Sequence, residues 1–367
     1  MTTLVQSRTR PILVGAFAAA LMESNGLVAR IVPFSHLFRH AFEIEALNAA
    51  AIDPNPGYHP AVIAAHAMGG GLTSRIRLVL IHDPDGVLRA FVPLVMSRLA
   101  GGVLRLPAAL DIPGVHNRMP IIDAGMPKAA SALVEAIARF GGARMDGVAS
   151  KTGTARVLVG ATAALSGMRA LMFNFGERPV LACRDQGEVA GGIDAEYRAD
   201  LANAKHRLGE RFGRLRLERL QAGARFAAAY ETFRCAPEGA AGCTGYDRLA
   251  AAQEDENCLL IHRLVAGTTV LGMAMGLVAA RRYVGIDTWI DRSLDAPAVP
   301  PVMAVKLSEA LARDPKVDLA TGGADVVTPA WRTEPTADLV IGAAMQAEAE
   351  RALDRLSRLL RERRRAR

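Results

Sequence analysis

One order of predicted elements occurs twice in the sequence, and this repeat constrains the fold more than any other feature. LVLIHDPDGVLRAFVPLV (residues 78–95) reads as two antiparallel strands around a D-P-D-G turn, in which Gly86 can adopt a positive φ. LLIHRLVAGTTVLGMAMGLV (259–278) has the same pattern, and an Ile-His pair occurs in both. The sequence therefore predicts two similar hairpins in distant parts of the chain.

The elements after each hairpin also match. VLRLP (103–107) and RRYVGIDTWI (281–290) are predicted third strands, and PKAASALVEAIARFGG (127–142) and PVMAVKLSEALARD (301–314) are predicted helices that begin at a proline. His82 and His262 are 180 residues apart, and the helix-starting Pro127 and Pro301 are 174 apart. This near-constant offset predicts duplicated units of the α/β (α+β) class, each a mixed sheet flanked by helices.

A basic segment, EYRADLANAKHRLGERFGRLRLERLQAG (196–223), separates the two units. It has seven Lys or Arg and four acids, and leucines recur in it at roughly helical spacing, which predicts an amphipathic helical connector. Its charges could face a polyanion or water. We expect an N-terminal segment at 1–40, units at 41–185 and 226–340 with the connector at 186–225 between them, and a C-terminal helix at 341–367.

The apolar N-terminal segment, the basic C-terminal segment and the cysteines indicate where in the cell the protein is expected. PILVGAFAAALM (11–22) is apolar but shorter than the roughly 20 residues that span a bilayer, so it predicts a buried helix or strand. The last ten residues, RLLRERRRAR, predict an amphipathic helix with a basic tail. The four cysteines show no C-x-x-C spacing, which favours a reducing, cytoplasmic setting.

No metal site is predicted. His36 and His40 have the i, i+4 spacing of a helical metal pair, but no carboxylate completes an H-E-x-x-H pattern. Leu37 and Phe38 between them indicate a packed helix instead. His82 and His262, each near the end of an apolar strand, are predicted to be structural.

Three segments carry a resemblance to a known family: DIPGVHNRMPIID (111–123), EYRADLANAKHRL (196–208) and VDLATGGADVVTPAW (317–331). Their order, together with the repeat, resembles the double-GNAT bacterial acyltransferases of the cellulose-biosynthesis type, which are related to Fem-type peptidoglycan aminoacyltransferases. The resemblance implies two tandem GNAT-like domains that transfer an acyl group from acetyl-CoA or another acyl-CoA. The implied acceptor is an amine or hydroxyl of a sugar or small metabolite.

Two departures from the family pattern leave alternatives open. Members usually have a Lys shortly after the closing glycine turn, whereas residues 324–331 contain none, and the Q/R-x-x-G-x-G/A phosphate loop is missing from both copies. A non-catalytic GNAT-like scaffold is one alternative. Another is a transferase that uses aminoacyl-tRNA, with the basic connector on the RNA backbone.

Acyl transfer needs a group that removes a proton from the nucleophile and donors near the carbonyl oxygen. His116 lies in a polar loop at the predicted end of a strand and is the candidate base of the first unit. Tyr283 and Asp287 lie at even spacing on a predicted strand of the second unit, where Tyr283 could act as acid and Asp287 could orient an amine.

Binding roles are predicted for residues beside these groups. Those for the acceptor substrate are Asp111, Asn117, Arg118 and Asp291. Those for the cofactor phosphates lie before and within the second helix, and they are Arg292, Ser293 and Val302.

Overall fold

A computed structural model describes residues 20–24, 26–96, 106–115, 117–183, 194–235, 246–251, 258–322 and 328–365. The strands are β1 Ala20–Ser24, β2 Leu27–Pro33, β3 Ile76–His82, β4 Leu88–Val95, β5 Ala108–Ala109, β6 Ile121–Ile122, β7 Gly142–Ala149, β8 Met168–Ala182, β9 Leu215–Leu220, β10 Leu259–Ala266, β11 Thr269–Ala279, β12 Arg282–Ile290, β13 Leu319–Thr321 and β14 Arg332–Ala343. The helices are α1 Ala41–Ala49, α2 Pro60–Gly69, α3 Ala129–Ala138, α4 Gly153–Ala163, α5 Ala195–Phe212, α6 Gly223–Cys235, α7 Asp247–Ala251, α8 Val299–Arg313 and α9 Ala344–Arg365. Three short 3-10 helices are Phe34–His40, Pro56–Tyr58 and Arg292–Leu294.

All of these strands belong to one mixed sheet. Its order is β1-β2-β3-β4-β5-β7-β14-β8-β13-β12-β11-β10-β9, and β6 pairs with β4 beside this path. Most neighbours are antiparallel, but β5 with β7 and β12 with β13 are parallel. The mixed α/β class predicted from the sequence is confirmed.

The two predicted hairpins are present as β3–β4 and β10–β11. Gly86 has a φ of 81° and Gly267 a φ of 58°, so each turn uses a glycine in the left-handed region. Strand β12 and helices α3 and α8 also follow the sequence prediction. Of the predicted third strand at 103–107, residues 103–105 lie outside the described part, and the first unit instead has the short β5 at Ala108–Ala109.

The last strands of the two halves are exchanged. Strand β14 of the second half lies between β7 and β8 of the first, and β8 lies between β14 and β13. The β8–β14 ladder is long, from Arg332 opposite Val180 to Ala343 opposite Met168. The sequence analysis gave each half its own sheet, whereas the exchange joins both halves into one.

The connector is a helix only in its first part. Helix α5 ends at Phe212, where Gly213 has a φ of 98°, and the chain continues as strand β9. In RLRLERL (214–220) polar and apolar residues alternate, which is the two-residue period of a strand. The prediction of a helix through this stretch was wrong, because β9 pairs with β10 as the last strand of the sheet and buries Leu220.

Two large cores cover the faces of the sheet, and a small third cluster of Leu106, Phe173, Val340 and Ala347 lies at β8, β14 and α9. The larger extends from β2, β3 and α3 of the first half to β10 and β11 of the second, and includes Phe91, Leu133 and Met275. The smaller lies under α5 and α8 and includes Tyr283 and Trp331.

The two chain ends are described only in part. The predicted N-terminal apolar segment lies mostly outside the described residues, of which Ala20–Ser24 form β1. The predicted C-terminal helix is confirmed as α9. Within the described part of the chain, no helix is both long enough and apolar enough to cross a bilayer.

The seam between β7 and β14 can be tested at Gly142, which starts β7 with a φ of 134°. A Cβ there would lie 2.1 Å from the Ile341 carbonyl oxygen on β14. We expect Gly142→Ala to lower the free energy of unfolding by at least about 2 kcal/mol in urea titrations.

Gly160→Ala is the matched control. Gly160 is inside α4, where an added Cβ meets no atom within 4 Å, so the change should raise stability by about 0.5 to 1 kcal/mol. Equal effects of the two substitutions would contradict the close approach of β7 and β14.

Candidate active site

Strands β12 and β13 separate after a short parallel contact. Their ladder has three residue pairs and ends with Val284 opposite Thr321, while β12 continues to Ile290. On its other edge β12 has a bulge: Gly285 lies opposite Gly276 and Asp287 opposite Met275, so Ile286 is the extra residue. Bulges redirect side chains and interrupt ladder bonding, and they are frequent next to active sites.

A cavity of about 60 Å³ lies where the two strands separate. It is lined by Ala274, Met275, Tyr283, Gly285, Ile286, Asp287, Thr288, Leu307, Gly322 and Trp331. A volume of this size holds a few water-sized groups. We call it the β12–β13 cavity.

Tyr283 gives the cavity a buried hydroxyl. Its side chain is 1% exposed, and among the described residues the hydroxyl has no hydrogen-bond partner. The ring lies directly over Gly276, where a Cβ would come within 2.4 Å of it. Burial raises the pKa of Tyr283 far above its usual value, so the hydroxyl keeps its proton at neutral pH and can donate it.

Asp287 contributes the carboxylate of the cavity. It is partly buried, and its Oδ1 accepts the backbone N–H of Thr288 at 2.8 Å. Asp287 and its sequence neighbour Thr288 both line the cavity. The cavity thus combines a hydroxyl that can donate a proton with a carboxylate that can accept one.

Trp331 closes the cavity on the side of α8. The indole Nε1–H donates to Ser308 Oγ at 2.8 Å, and that hydroxyl donates to the Ala304 carbonyl at 2.8 Å. The ring packs on Gly322, where a Cβ would lie 2.9 Å from it. Trp331 is therefore held by hydrogen bonding and by the absence of a side chain at Gly322.

The start of α8 offers few donors to an anion. Pro300 and Pro301 have no N–H, and the Val299 N–H donates to the Ala296 carbonyl at 3.0 Å. The Val302 N–H donates to the Ala298 carbonyl at 3.3 Å, and its side chain is fully buried. This helix end therefore differs from the open amide cradle that usually binds phosphate.

In the loop before α8, polar groups form hydrogen bonds with each other. Ser293 donates its N–H (3.0 Å) and its hydroxyl (2.6 Å) to Asp291 Oδ1, which caps the 3-10 helix Arg292–Leu294. Asp291 lies one residue beyond the end of β12 at Ile290, and it is not among the residues that line the cavity. Arg292 is exposed on this turn.

The predicted first-half group lies elsewhere. His116 is outside the described residues. Arg118 is bonded to Asp111, with Nη2 2.7 Å from its carboxylate, and to Asp146 through Nη1. The Asn117 side chain accepts the Met119 N–H at 3.2 Å. These contacts hold the loop in shape, and the binding roles of Asp111, Asn117 and Arg118 remain predictions.

The same loop touches the second half at the bulge. Gly114 has a φ of 76°, and a Cβ there would lie 2.8 Å from the Ile286 side chain and 3.0 Å from its carbonyl oxygen. The Tyr246 hydroxyl donates to the Pro113 carbonyl at 2.6 Å and fixes the tip of the loop. The loop of the first half therefore lies against the strand that forms the cavity of the second.

The structure thus brings together two of the predicted catalytic residues, Tyr283 and Asp287. It also adds Trp331, Leu307 and Ser308, to which the sequence analysis assigned no site role. The signal for Trp331 is its place after the glycine turn at 322–323, where the family Lys is missing.

Comparisons with known proteins bear on the fold. No protein-family model matches the chain, and no curated protein matches it significantly. The crystal structure of FemX aligns with 82% of this chain and 95% of its own, at 11% identity and a TM-score of 0.55. A conserved protein of unknown function from Bacteroides thetaiotaomicron VPI-5482 aligns with 84% of this chain and 97% of its own, at 10% identity and a TM-score of 0.51.

At these identities the likeness shows the fold alone. The chain has a fold similar to that of FemX, in line with the resemblance of its sequence to relatives of Fem-type proteins. The β12–β13 cavity is the candidate active site within that fold.

His262, whose ring contacts that of Tyr283, leads to a prediction about how stability depends on pH. It is buried, its ring meets the Tyr283 ring edge to face at 6.2 Å, and burial, with a smaller effect of Arg219, lowers its pKa to about 4. In the unfolded chain the histidine pKa is about 6.5, so between about pH 4 and about pH 6.5 the unfolded chain binds more protons than the folded one. The contribution of His262 to stability is therefore complete above about pH 6.5 and is lost as the pH falls below it.

We expect the wild type to lose about 2 kcal/mol of unfolding free energy through His262 between about pH 7.5 and about pH 5. His262→Gln has no group that titrates in this range. Its free energy of unfolding, measured by urea titration at both pH values, should therefore fall by about 2 kcal/mol less than that of the wild type. An identical pH dependence of variant and wild type would show that His262 is not buried as a neutral ring.

Proposed function

We propose that the protein is an N-acyltransferase that joins a short acyl group to an amine or hydroxyl in the β12–β13 cavity. The observation that carries this proposal is the buried Tyr283 hydroxyl, which has no partner among the described residues and lines the same cavity as Asp287. An unpaired buried hydroxyl lowers the stability of the folded protein. We therefore infer that Tyr283 is present because its hydroxyl binds substrate or takes part in catalysis.

The chemistry follows from the two groups. As the acceptor amine attacks the thioester carbonyl, a nitrogen–carbon bond forms and the carbon–sulfur bond breaks. Asp287 takes the proton from the amine, and Tyr283 gives its proton to the leaving sulfur. The proton then returns from Asp287 to Tyr283 through water.

The acyl donor in this proposal is acetyl-CoA or another short acyl-CoA. The fold supports a CoA thioester in general, and the small cavity volume of about 60 Å³ favours a short acyl group. The acceptor is a sugar or small metabolite that reaches the cavity along the first-half loop. We also propose a cytoplasmic setting, which the cysteine spacing in the sequence predicts.

A second donor, aminoacyl-tRNA, has one specific observation in its favour. The prolines at the start of α8 leave few amides for a pyrophosphate, whereas an open groove of about 500 Å³ beside this helix is lined by Lys205, His206 and Lys306 together with Glu210. Lysines in an open groove suit a polyanionic backbone. If this donor is used, tRNA binding should weaken steeply with salt and CoA should not compete.

Tyr283→Phe tests the proposed activity. The substitution removes a hydroxyl that has no partner among the described residues, so the free energy of unfolding should stay unchanged or rise. Release of CoA from acetyl-CoA in the presence of amino-sugar acceptors should fall by about a hundredfold. Asp287→Asn should reduce the same rate by a similar factor.

Tyr230→Phe is the matched control, because the Tyr230 hydroxyl on α6 donates to Asp247 Oδ1 on α7 at 3.0 Å and neither residue lines the cavity. We expect a loss of about 1 kcal/mol in stability and no loss of rate. A Tyr283→Phe protein that releases CoA as fast as the wild type would contradict the proposal. No calorimetric binding of acetyl-CoA or tRNA would favour a non-catalytic scaffold instead.

A further inference from the structure

Three side chains from distant parts of the first half meet outside the candidate active site. Glu43 is in the first turn of α1, His40 is the residue before that helix, and His82 is the last residue of β3. Their ligand atoms all lie within 4.8 Å of one another. We call them the His40–Glu43–His82 cluster.

One carboxylate oxygen is the centre of the cluster. Glu43 Oε2 lies 3.0 Å from His40 Nδ1 and 3.3 Å from His82 Nε2. In a tetrahedral zinc site with bonds of about 2.1 Å, ligand atoms lie about 3.4 Å apart. The two measured distances are close to this value, so small side-chain movements would let all three atoms bind one ion.

Zinc binding takes an ionised carboxylate and neutral imidazoles, and these are the ordinary forms of Glu and His side chains at about pH 7.5.

The three side chains of the cluster differ in how much of their surface is exposed. The His82 side chain is 4% exposed, and its Nδ1 has no partner among the described residues. The side chains of His40 and Glu43 are 15% and 41% exposed. A metal at Nε2 would thus have a fixed inner ligand and an outer side open to a water molecule.

We propose that the His40–Glu43–His82 cluster binds a divalent transition metal such as Zn²⁺, with water as a fourth ligand. Two imidazoles and one carboxylate are ligands of zinc and of other first-row metals, whereas Mg²⁺ prefers oxygen alone. The ion joins the start of α1 to the end of β3, and so ties a helix to the sheet. This site is independent of the acyltransferase proposal.

Glu43→Gln tests the site, because Glu43 is partly exposed and its replacement keeps the size of the side chain. Zn²⁺ affinity of the full chain is measured by competition with a chromophoric chelator, and Co²⁺ binding by its visible spectrum. The wild type should bind one equivalent of Zn²⁺, and Glu43→Gln should bind it at least about tenfold more weakly. Mg²⁺ should not compete.

Glu45→Gln is the matched control. Glu45 lies two residues further along α1, is 45% exposed, and has its Oε1 3.5 Å from a single histidine, His59. We expect its Zn²⁺ affinity to equal that of the wild type. No Zn²⁺ binding by the wild type, or equal affinities of wild type and Glu43→Gln, would overturn the proposal.

Discussion

The exchange of β8 and β14 is the constraint on which the rest of the structure depends. At this seam Arg144 of β7 lies between acids of the second half, 3.3 Å from Asp338 of β14 and 2.9 Å from Asp354 of α9. Asn174 of β8 donates to both of these carboxylates at 2.7 and 2.8 Å. Removing Arg144 would leave two partly buried carboxylates, Asp338 and Asp354, without the cation that they share, which is destabilising. Charge pairing therefore reinforces the ladder that joins the halves.

This seam also positions the candidate active site. Because β8 lies beside β13, the short strand β13 is held at one edge by the first half and at the other by only three residues of β12. Beyond those residues β12 bends away at its bulge, and the first-half loop packs against Ile286 there. All residues that line the cavity with Tyr283 and Asp287 come from the second half, and the first half packs against the strands β12 and β13 that carry several of them.

Much of this architecture could be predicted from the sequence, because hairpin turns, strand alternation and helix starts are local signals. The partner of a strand is not a local signal, so the repeat predicted two sheets and not the exchange. Asp291 lies one residue beyond the end of β12 and caps a 3-10 helix, so the strand pattern does not place it in the cavity with Tyr283 and Asp287. The His40–Glu43–His82 cluster was missed because His82 is distant in sequence and only the fold brings it to α1.

A crystal structure of the protein with coenzyme A tests the central claim most directly. Our account predicts that the thiol end of coenzyme A enters between β12 and β13 and that its sulfur lies within hydrogen-bonding reach of the Tyr283 hydroxyl. Coenzyme A bound between β4 and β7 of the first half, or a β12–β13 cavity that stays closed by Trp331 at saturating ligand, would contradict it.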